Sequence, residues 1–251
     1  MLPVPARLTG DSWAVFLDVD GTLIDIADAP DLVHVDERLP RLLDAVRRAC
    51  GGALALVSGR SLDALDALLA PMQFPAAGLH GAERRDARGR LHVRPRDPAL
   101  DAVTTRLAAW CAAHPGTLVE DKGGAVALHY RMAPGHAEAA RSEVTAALET
   151  LGPGYALQAG KCVLEIKPRG ASKARAIDEF MAEQPFAGRR PVFVGDDLTD
   201  EDGFRAVREH GGVAVAVGEL AHTAAQYRLA DVSAVQQWLE QWVGETEEAA
   251  R

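Results

Sequence analysis

Two aspartates with one residue between them, in Asp18-Val19-Asp20-Gly21-Thr22-Leu23, follow directly on the apolar run at 13–17. Side chains at i and i+2 of an extended strand point the same way, so both carboxylates can reach one point just beyond the strand end. Like charges that close are tolerable if a cation neutralises them or one stays protonated. Gly21 permits a sharp turn after the pair. Read alone, the same residues also suit a strand ending in an Asx-type turn. A second acidic group, Gly195-Asp196-Asp197-Leu198-Thr199-Asp200-Glu201-Asp202, again follows an apolar strand, at 192–194. Acidic residues suit a helix N-terminus, and Phe204 and Val207 continue helically, so capping and metal binding are both open and compatible. An EF-hand is excluded, because the sixth position counted from Asp196 is Glu201 where glycine is required. Val57-Ser58-Gly59-Arg60 offers a hydroxyl and backbone amides at a helix start, which suits either an anion or simple capping by Ser58 or Ser61. In Gly170-Ala171-Ser172-Lys173 an ammonium sits near a helix N-terminus. That is unfavourable unless an anion lies close, the other reading being an exposed lysine.

The elements that must position these groups alternate. Short, nearly continuous apolar runs at 13–17, 53–57, 76–79, 192–194 and 213–217 predict strands buried on both faces. Between them Leu39, Leu42, Leu43 and Val46, then Leu62, Leu65, Leu68 and Leu69 behind Ser61, then Ile177, Phe180 and Met181 recur at helical spacing. Successive βα units imply a parallel sheet. Val235, Trp238, Leu239 and Trp242 form a last helical face, followed by an acidic tail, GETEEAAR, that is expected to fray. The middle of the chain differs. Asp97-Pro98 starts a helix through Leu100, Val103, Leu107 and Trp110, and Val144, Leu148 and Leu151 mark another. Around them, segments 125–130 and 162–167 alternate, with Val163, Glu165 and Lys167 on one face and Leu164 and Ile166 on the other. Such alternation marks an antiparallel sheet covered on one side. Glu120 and Lys122 share a side in the same way, as Lys161 does with Glu165. Mixed charges of this kind suit hydroxyl-rich sugars; a solvated outer sheet face is the other reading. The reading is therefore an α/β chain: a Rossmann-like parallel-sheet core at 1–91 and 168–251 with an inserted α+β module at 92–167.

Composition narrows the partners. The 251 residues carry 27 Lys plus Arg against 36 Asp plus Glu, a net charge of −9, with 48% hydrophobic and 25% charged residues. This is an ordinary globular balance. Its acidity argues against a nucleic-acid partner, and no stretch approaches the roughly 20 apolar residues of a membrane span. The opening MLPVPARLTGDSW lacks an apolar leader, so a cytoplasmic location and no membrane partner are expected. Cys50, Cys111 and Cys162 include no CxxC pair, so zinc and disulfides are not expected and buried free thiols are. An anionic substrate would need local positive charge, for which a divalent cation held by carboxylates is the natural source.

In their order, strand-DxDGT, strand-SGR, lysine before a helix and strand-GDDxTDED, these groups resemble the haloacid dehalogenase superfamily of phosphotransferases across the whole core. The resemblance implies that Asp18 takes the phosphoryl group as an aspartyl phosphate, and that Asp20 protonates the leaving oxygen and then activates water. It implies Mg²⁺ held by the Asp18 carboxylate, the Asp20 carbonyl and Asp196, supported by Asp197 and Asp200. Ser58 and Lys173 would bind the phosphoryl oxygens, Lys173 also neutralising Asp18. Such chemistry is chiefly positioning and charge neutralisation. The inserted module resembles the α/β cap of the sugar-phosphate branch, which lays a polar sheet face over the active site.

Four segments, GLHGAERR at 78–85, VEDKGGAVALHYR at 119–131, GKCVLEIKPRGASKARAI at 160–177 and FVGDDLTDEDGF at 193–204, resemble the trehalose-6-phosphate phosphatases. The similarity covers nearly the whole chain. One departure is Lys173-Ala174, where that family more often has Lys-Gly. This resemblance implies that Glu120, Lys122 and Glu165 contact the sugar, with Lys161 a further candidate, and that Gly21, Arg60, His80 and Gly81 line the core side. For His80 a structural hydrogen bond is an equal reading. The implied activity is Mg²⁺-dependent hydrolysis of trehalose 6-phosphate, the last step of trehalose biosynthesis, by a monomer. A chain of this length has no room for a fused synthase domain. The alternatives are a capped phosphatase for sucrose phosphate or a glycosyl-phosphoglycerate, a receiver-type phospho-accepting module, which would be about half this length, and a binding protein without activity, which the presence of both Asp18 and Asp20 disfavours.

Overall fold

Apolar runs of four to six residues leave no polar face for water, so they pair side by side and are covered by helices on both sides. The computed structural model describes residues 2–9, 12–26, 35–93 and 95–249, with side chains described as far as 244. The strands of its first sheet are β1 (Trp13–Leu17), β2 (Leu54–Val57), β3 (Ala76–Gly78), β4 (Glu83–Arg85) and β5 (Leu91–Val93). The second sheet holds β6 (Leu118–Asp121), β7 (Val126–His129), β8 (Tyr155–Gly160) and β9 (Val163–Pro168). From the end of the chain β10 (Arg190–Gly195), β11 (Val213–Val217) and β12 (Tyr227–Leu229) return to the first sheet, whose order is β12-β11-β10-β1-β2-β3-β4-β5.

Around β1 the sheet is parallel. Leu17 pairs with Val194 on one side and with Leu56 on the other. This register puts Asp18, Ser58 and Asp196 within two residues of one level at the carboxyl ends of three neighbouring strands, where open α/β sheets bind their ligands. The layers over the sheet are α1 (Arg38–Ala49), α2 (Leu62–Leu69), α5 (Lys173–Met181), α6 (Glu201–Glu209) and α7 (Val232–Ala249). Phe16, fully buried, has its ring centroid 5.5 Å from that of Phe186 and 5.9 Å from that of Phe180. Burying such a side chain contributes roughly 1.5–3 kcal/mol, which anchors β1 and, with it, the aspartate that follows.

Several sequence expectations are corrected. The third strand ends at Gly78, and Leu79 and His80 instead form a turn with φ of +50° and +55°. The antiparallel β4 was not anticipated, because Glu83-Arg84-Arg85 shows no apolar run. Its arginines are nevertheless buried, Arg84 against Glu179 and Glu183 and Arg85 against Asp66. The acidic tail starts as helix: α7 runs through Gly244 to Ala249, Glu and Ala being good helix formers. Ala250 and Arg251 lie outside the described residues. Cys50 is buried, whereas Cys111 and Cys162 are only partly so, and all three are free thiols. No described helix is long and apolar enough to cross a membrane.

The chain divides into two compact units, Met1–His92 with Ser172–Arg251, and Val93–Ala171. In the second unit the sheet order is β6-β7-β9-β8, antiparallel throughout. One face, with Val126, Leu128, Leu164 and Ile166, packs under α3 (Ala99–Ala112) and α4 (Ala137–Glu149) through Leu100, Val103, Leu107 and Val144. On the other face the register aligns Glu120, Ala127, Glu165 and Gln158 in one cross-strand row.

Candidate active site

Asp18 is the first residue beyond β1, and its backbone N–H donates to Val194 O, which keeps it in line with the strand. Lys173 is the first residue of α5, behind Ser172, whose hydroxyl caps the helix by accepting from Arg175 N–H. Its side chain is 2% exposed, so it is not a surface lysine. Nζ lies 2.8 Å from Asp18 Oδ1 and 2.5 Å from Asp200 Oδ1. The other oxygen of Asp200 accepts from the N–H groups of Asp196 and Asp197, both at 2.9 Å. Asp18, Asp196 and Asp200 each offer an oxygen within 4.8 Å of the others, the one such group of three among the described residues.

Burial, the largest influence, pushes the Asp18 carboxyl well above its usual range; Lys173 opposes this, and Asp200 and Asp196 add to it. For Lys173 burial alone would lower the ammonium, but Asp18 and Asp200 outweigh it and raise it, so it stays charged. Three carboxylates against one ammonium leave an excess of two negative charges when all are ionised. A divalent cation cancels that excess, and an all-oxygen donor set suits a hard ion. The chain makes room for it at Gly21, which has φ +81° and where a Cβ would stand 2.2 Å from Asp196 Oδ2. An alanine there is strained by on the order of 1–3 kcal/mol and displaces a carboxylate. Gly21→Ala is therefore expected to raise the divalent-ion concentration for half-maximal activity roughly tenfold or more. Titrating metal into the apo-protein measures this, and an unchanged midpoint would free Gly21 from the role.

Asp20 and Asp197 stand apart from the trio. Asp197 caps the turn at Leu198–Asp200, accepting from Leu198 N–H at 2.6 Å, so the acidic loop divides its work between capping and the cluster. The Asp20 carboxylate is gripped at both oxygens by Arg60, Nε at 2.8 Å and Nη2 at 2.7 Å. Ser58 is buried and its hydroxyl accepts from Arg60 N–H, while Ser61 caps α2. His80, also buried, donates its backbone N–H to Ser58 O. Gly81, with φ +95°, lets this turn press against the start of α5, where a Cβ would lie 2.6 Å from Ser172 O.

In the second unit Lys122 Nζ lies 2.8 Å from Glu165 Oε2, and these side chains are 10% and 5% exposed. Lys167 is buried as well and donates to Ala171 O. Glu120 Oε2 lies 2.8 Å from His129 Nε2. Burial would raise the Glu120 carboxyl, but the bond from His129 and the charge of Lys122 outweigh it and hold it below its usual value. His129 was missed in the sequence, although the alternation Ala125, Ala127, His129 places it on this face. Lys161 is corrected: it is exposed at the tip of the β8–β9 hairpin, not in a strand, before Cys162 at φ +59°.

At the carboxyl ends of its parallel strands the sheet gathers Asp18, the buried Lys173 and two further carboxylates, an arrangement of charge suited to phosphoryl transfer. The chain belongs to the trehalose-phosphatase family, whose model matches residues 16–233. A probable trehalose-phosphate phosphatase of Sinorhizobium fredii is 48% identical over 83% of this chain and 78% of its own length. The trehalose-6-phosphate phosphatase of Escherichia coli is 49% identical over 91% of this chain and 85% of its own. In fold the chain is similar to the C-terminal domain of the C. albicans trehalose-6-phosphate phosphatase, with a TM-score of 0.82 at 22% identity, covering 94% of this chain and 93% of that one.

Proposed function

We propose that this chain hydrolyses trehalose 6-phosphate to trehalose and phosphate with Mg²⁺ as its divalent ion. The observation that carries the chemistry is the contact of buried Lys173 with Asp18 at the carboxyl end of β1. The substrate is supported by the relatives of 48% and 49% identity, both named for trehalose phosphate. Asp18 attacks phosphorus, the bond to the sugar oxygen breaks, and Asp20 gives that oxygen a proton. In the second half Asp20 takes a proton from water, whose oxygen attacks the phosphoryl group and releases Asp18. Arginine only donates, so the Asp20 oxygen that carries the proton must turn from Arg60 toward the leaving oxygen. Ser58 and Lys173 bind the phosphoryl oxygens, and the His80-Gly81 turn borders them. Mg²⁺, held by the Asp18 and Asp196 carboxylates and the Asp20 carbonyl with Asp197 and Asp200 in support, would neutralise charge on the transferred group.

The sugar is read by the charged face of the second unit. Carboxylates of Glu120 and Glu165 accept from hydroxyls and Lys122 donates to them. Three free thiols suit a reducing compartment such as the cytoplasm. The test is phosphate release with Mg²⁺ from trehalose 6-phosphate, sucrose 6-phosphate, glucose 6-phosphate and p-nitrophenyl phosphate. Polar sites left unpaired by a wrong substrate reject it strongly, so kcat/KM should favour trehalose 6-phosphate by about a hundredfold, and EDTA should abolish all four activities. Equal rates on the sugar phosphates would overturn the substrate assignment, and EDTA-resistant release the role of the ion.

A further inference from the structure

The charged sheet face holds two carboxylates, and each has its own donor. Glu165 is gripped by Lys122, and Glu120 by His129 on the neighbouring strand. The two pairs are not independent, because the charge of Lys122 also acts on Glu120, as does that of Glu165. Without His129 the remaining attraction on Glu120 from this group is Lys122, and a carboxylate drawn to Lys122 would crowd Glu165 and share its ammonium. We propose that His129 is a positioning residue that holds Glu120 in place for a sugar hydroxyl and keeps Lys122 committed to Glu165.

This rests on the reading of Glu120 as a sugar contact. An ionised carboxylate only accepts hydrogen bonds, so the bond assigns the proton to Nε2 of His129, with Nδ1 the unprotonated nitrogen when the ring is neutral. A carboxylate has about four acceptor positions, so one bond from His129 orients Glu120 without exhausting it. The side chains are 24% and 29% exposed, which leaves the pair open to a ligand. The register explains why a histidine is needed here. Glu120 lies directly across from Ala127, whose methyl cannot donate, and His129 is two residues further along the same strand on the same face.

The test compares His129→Phe, His129→Gln and Glu120→Gln, singly and with His129→Phe added to Glu120→Gln, on trehalose 6-phosphate and on p-nitrophenyl phosphate. Losing one charge-assisted bond should raise KM for trehalose 6-phosphate about tenfold in His129→Phe, with kcat changed by less than about twofold. The loss on p-nitrophenyl phosphate should be at least about fivefold smaller, because that substrate has no sugar. His129→Gln, which retains a donor, should recover to within about threefold of the wild type. Adding His129→Phe to Glu120→Gln should cost little more, since the two residues act as one unit. Nitrogen NMR of the unaltered protein, followed to alkaline pH, should find the His129 proton on Nε2 wherever the ring carries a single proton, a readout that does not depend on any variant folding.

Equal losses on the two substrates, no rescue by glutamine, additive losses in the double variant or a neutral ring with its proton on Nδ1 would each overturn the proposal. If the wild type itself showed no preference for trehalose 6-phosphate, the reading beneath it would fall too. A wild type with that preference and a failed His129 series would overturn this proposal alone.

Discussion

Asp18→Asn is expected to abolish phosphate release from trehalose 6-phosphate while leaving the protein folded and at least as heat-stable as before. An amide cannot form the aspartyl phosphate, and loss of a nucleophile costs on the order of 10⁶ in rate where it has been measured. The stability side follows from the surroundings of the carboxyl. Burial pushes it well above its usual range, and Asp200 and Asp196 add to the effect, so in the metal-free protein its ionised form is disfavoured. An amide of nearly the same shape removes one of three crowded carboxylates, and Lys173 keeps its contact with Asp200 at 2.5 Å. Malachite-green phosphate assays and thermal melts in EDTA measure the two halves separately. Turnover within tenfold of the wild type would remove Asp18 as nucleophile. A lower melting temperature would show that the Asp18–Lys173 attraction exceeds the repulsion among the carboxylates.

Replacing the lysine of the same cluster should do the opposite to stability. Lys173→Met keeps the volume but leaves Asp18, Asp196 and Asp200 with no ammonium among them, and Lys173 is 2% exposed, so water does not stand in for it. Removing one partner of a buried pair costs about 3–5 kcal/mol. In a protein of this size each kcal/mol is roughly 2–4 °C, so the metal-free variant should melt about 10 °C below the wild type. Mg²⁺ should restore part of the difference, because the ion compensates the same negative charge. Activity should fall by about 10²–10³ even at saturating Mg²⁺, the usual loss when one preorganised donor to the transferred charge is removed. Calorimetry with and without Mg²⁺, beside the phosphate assay, decides the matter. A melting point within 2 °C of the wild type in EDTA would refute Lys173 as the charge balance of the site.

The opposite signs of these two outcomes come from geometry that the motifs only hint at. In the sequence Asp18, Lys173, Asp196 and Asp200 are four separate signals, each with an ordinary reading as a turn, a surface charge or a cap. Their strands and helices were readable because apolar runs and 3.6-residue periodicity are near-neighbour properties, and β1, β2, β10 and β11 with the helices between them follow from such patterns. The motif order was enough for the family resemblance. Short β4, whose buried arginines are matched by acids on α2, on α5 and just beyond it, has no local signature and was missed.

Local pattern settled which residues end strands and which open helices, and hence which side chains could meet at the carboxyl edge of a parallel sheet. Alternation also put Glu120 with Lys122, and Glu165 with Lys167, on one side of their own segments. Packing decided the partners. Asp20 is held by Arg60, forty residues away, and Lys173 reaches Asp200, twenty-seven away. His129 rather than a lysine holds Glu120, Asp197 caps a turn outside the trio, and Lys161 sits at a hairpin tip. Such pairings depend on register and on how closely strands and helices approach, and a carboxylate has no covalent or near-neighbour reason to prefer one distant donor over another until the core has brought them within 3 Å.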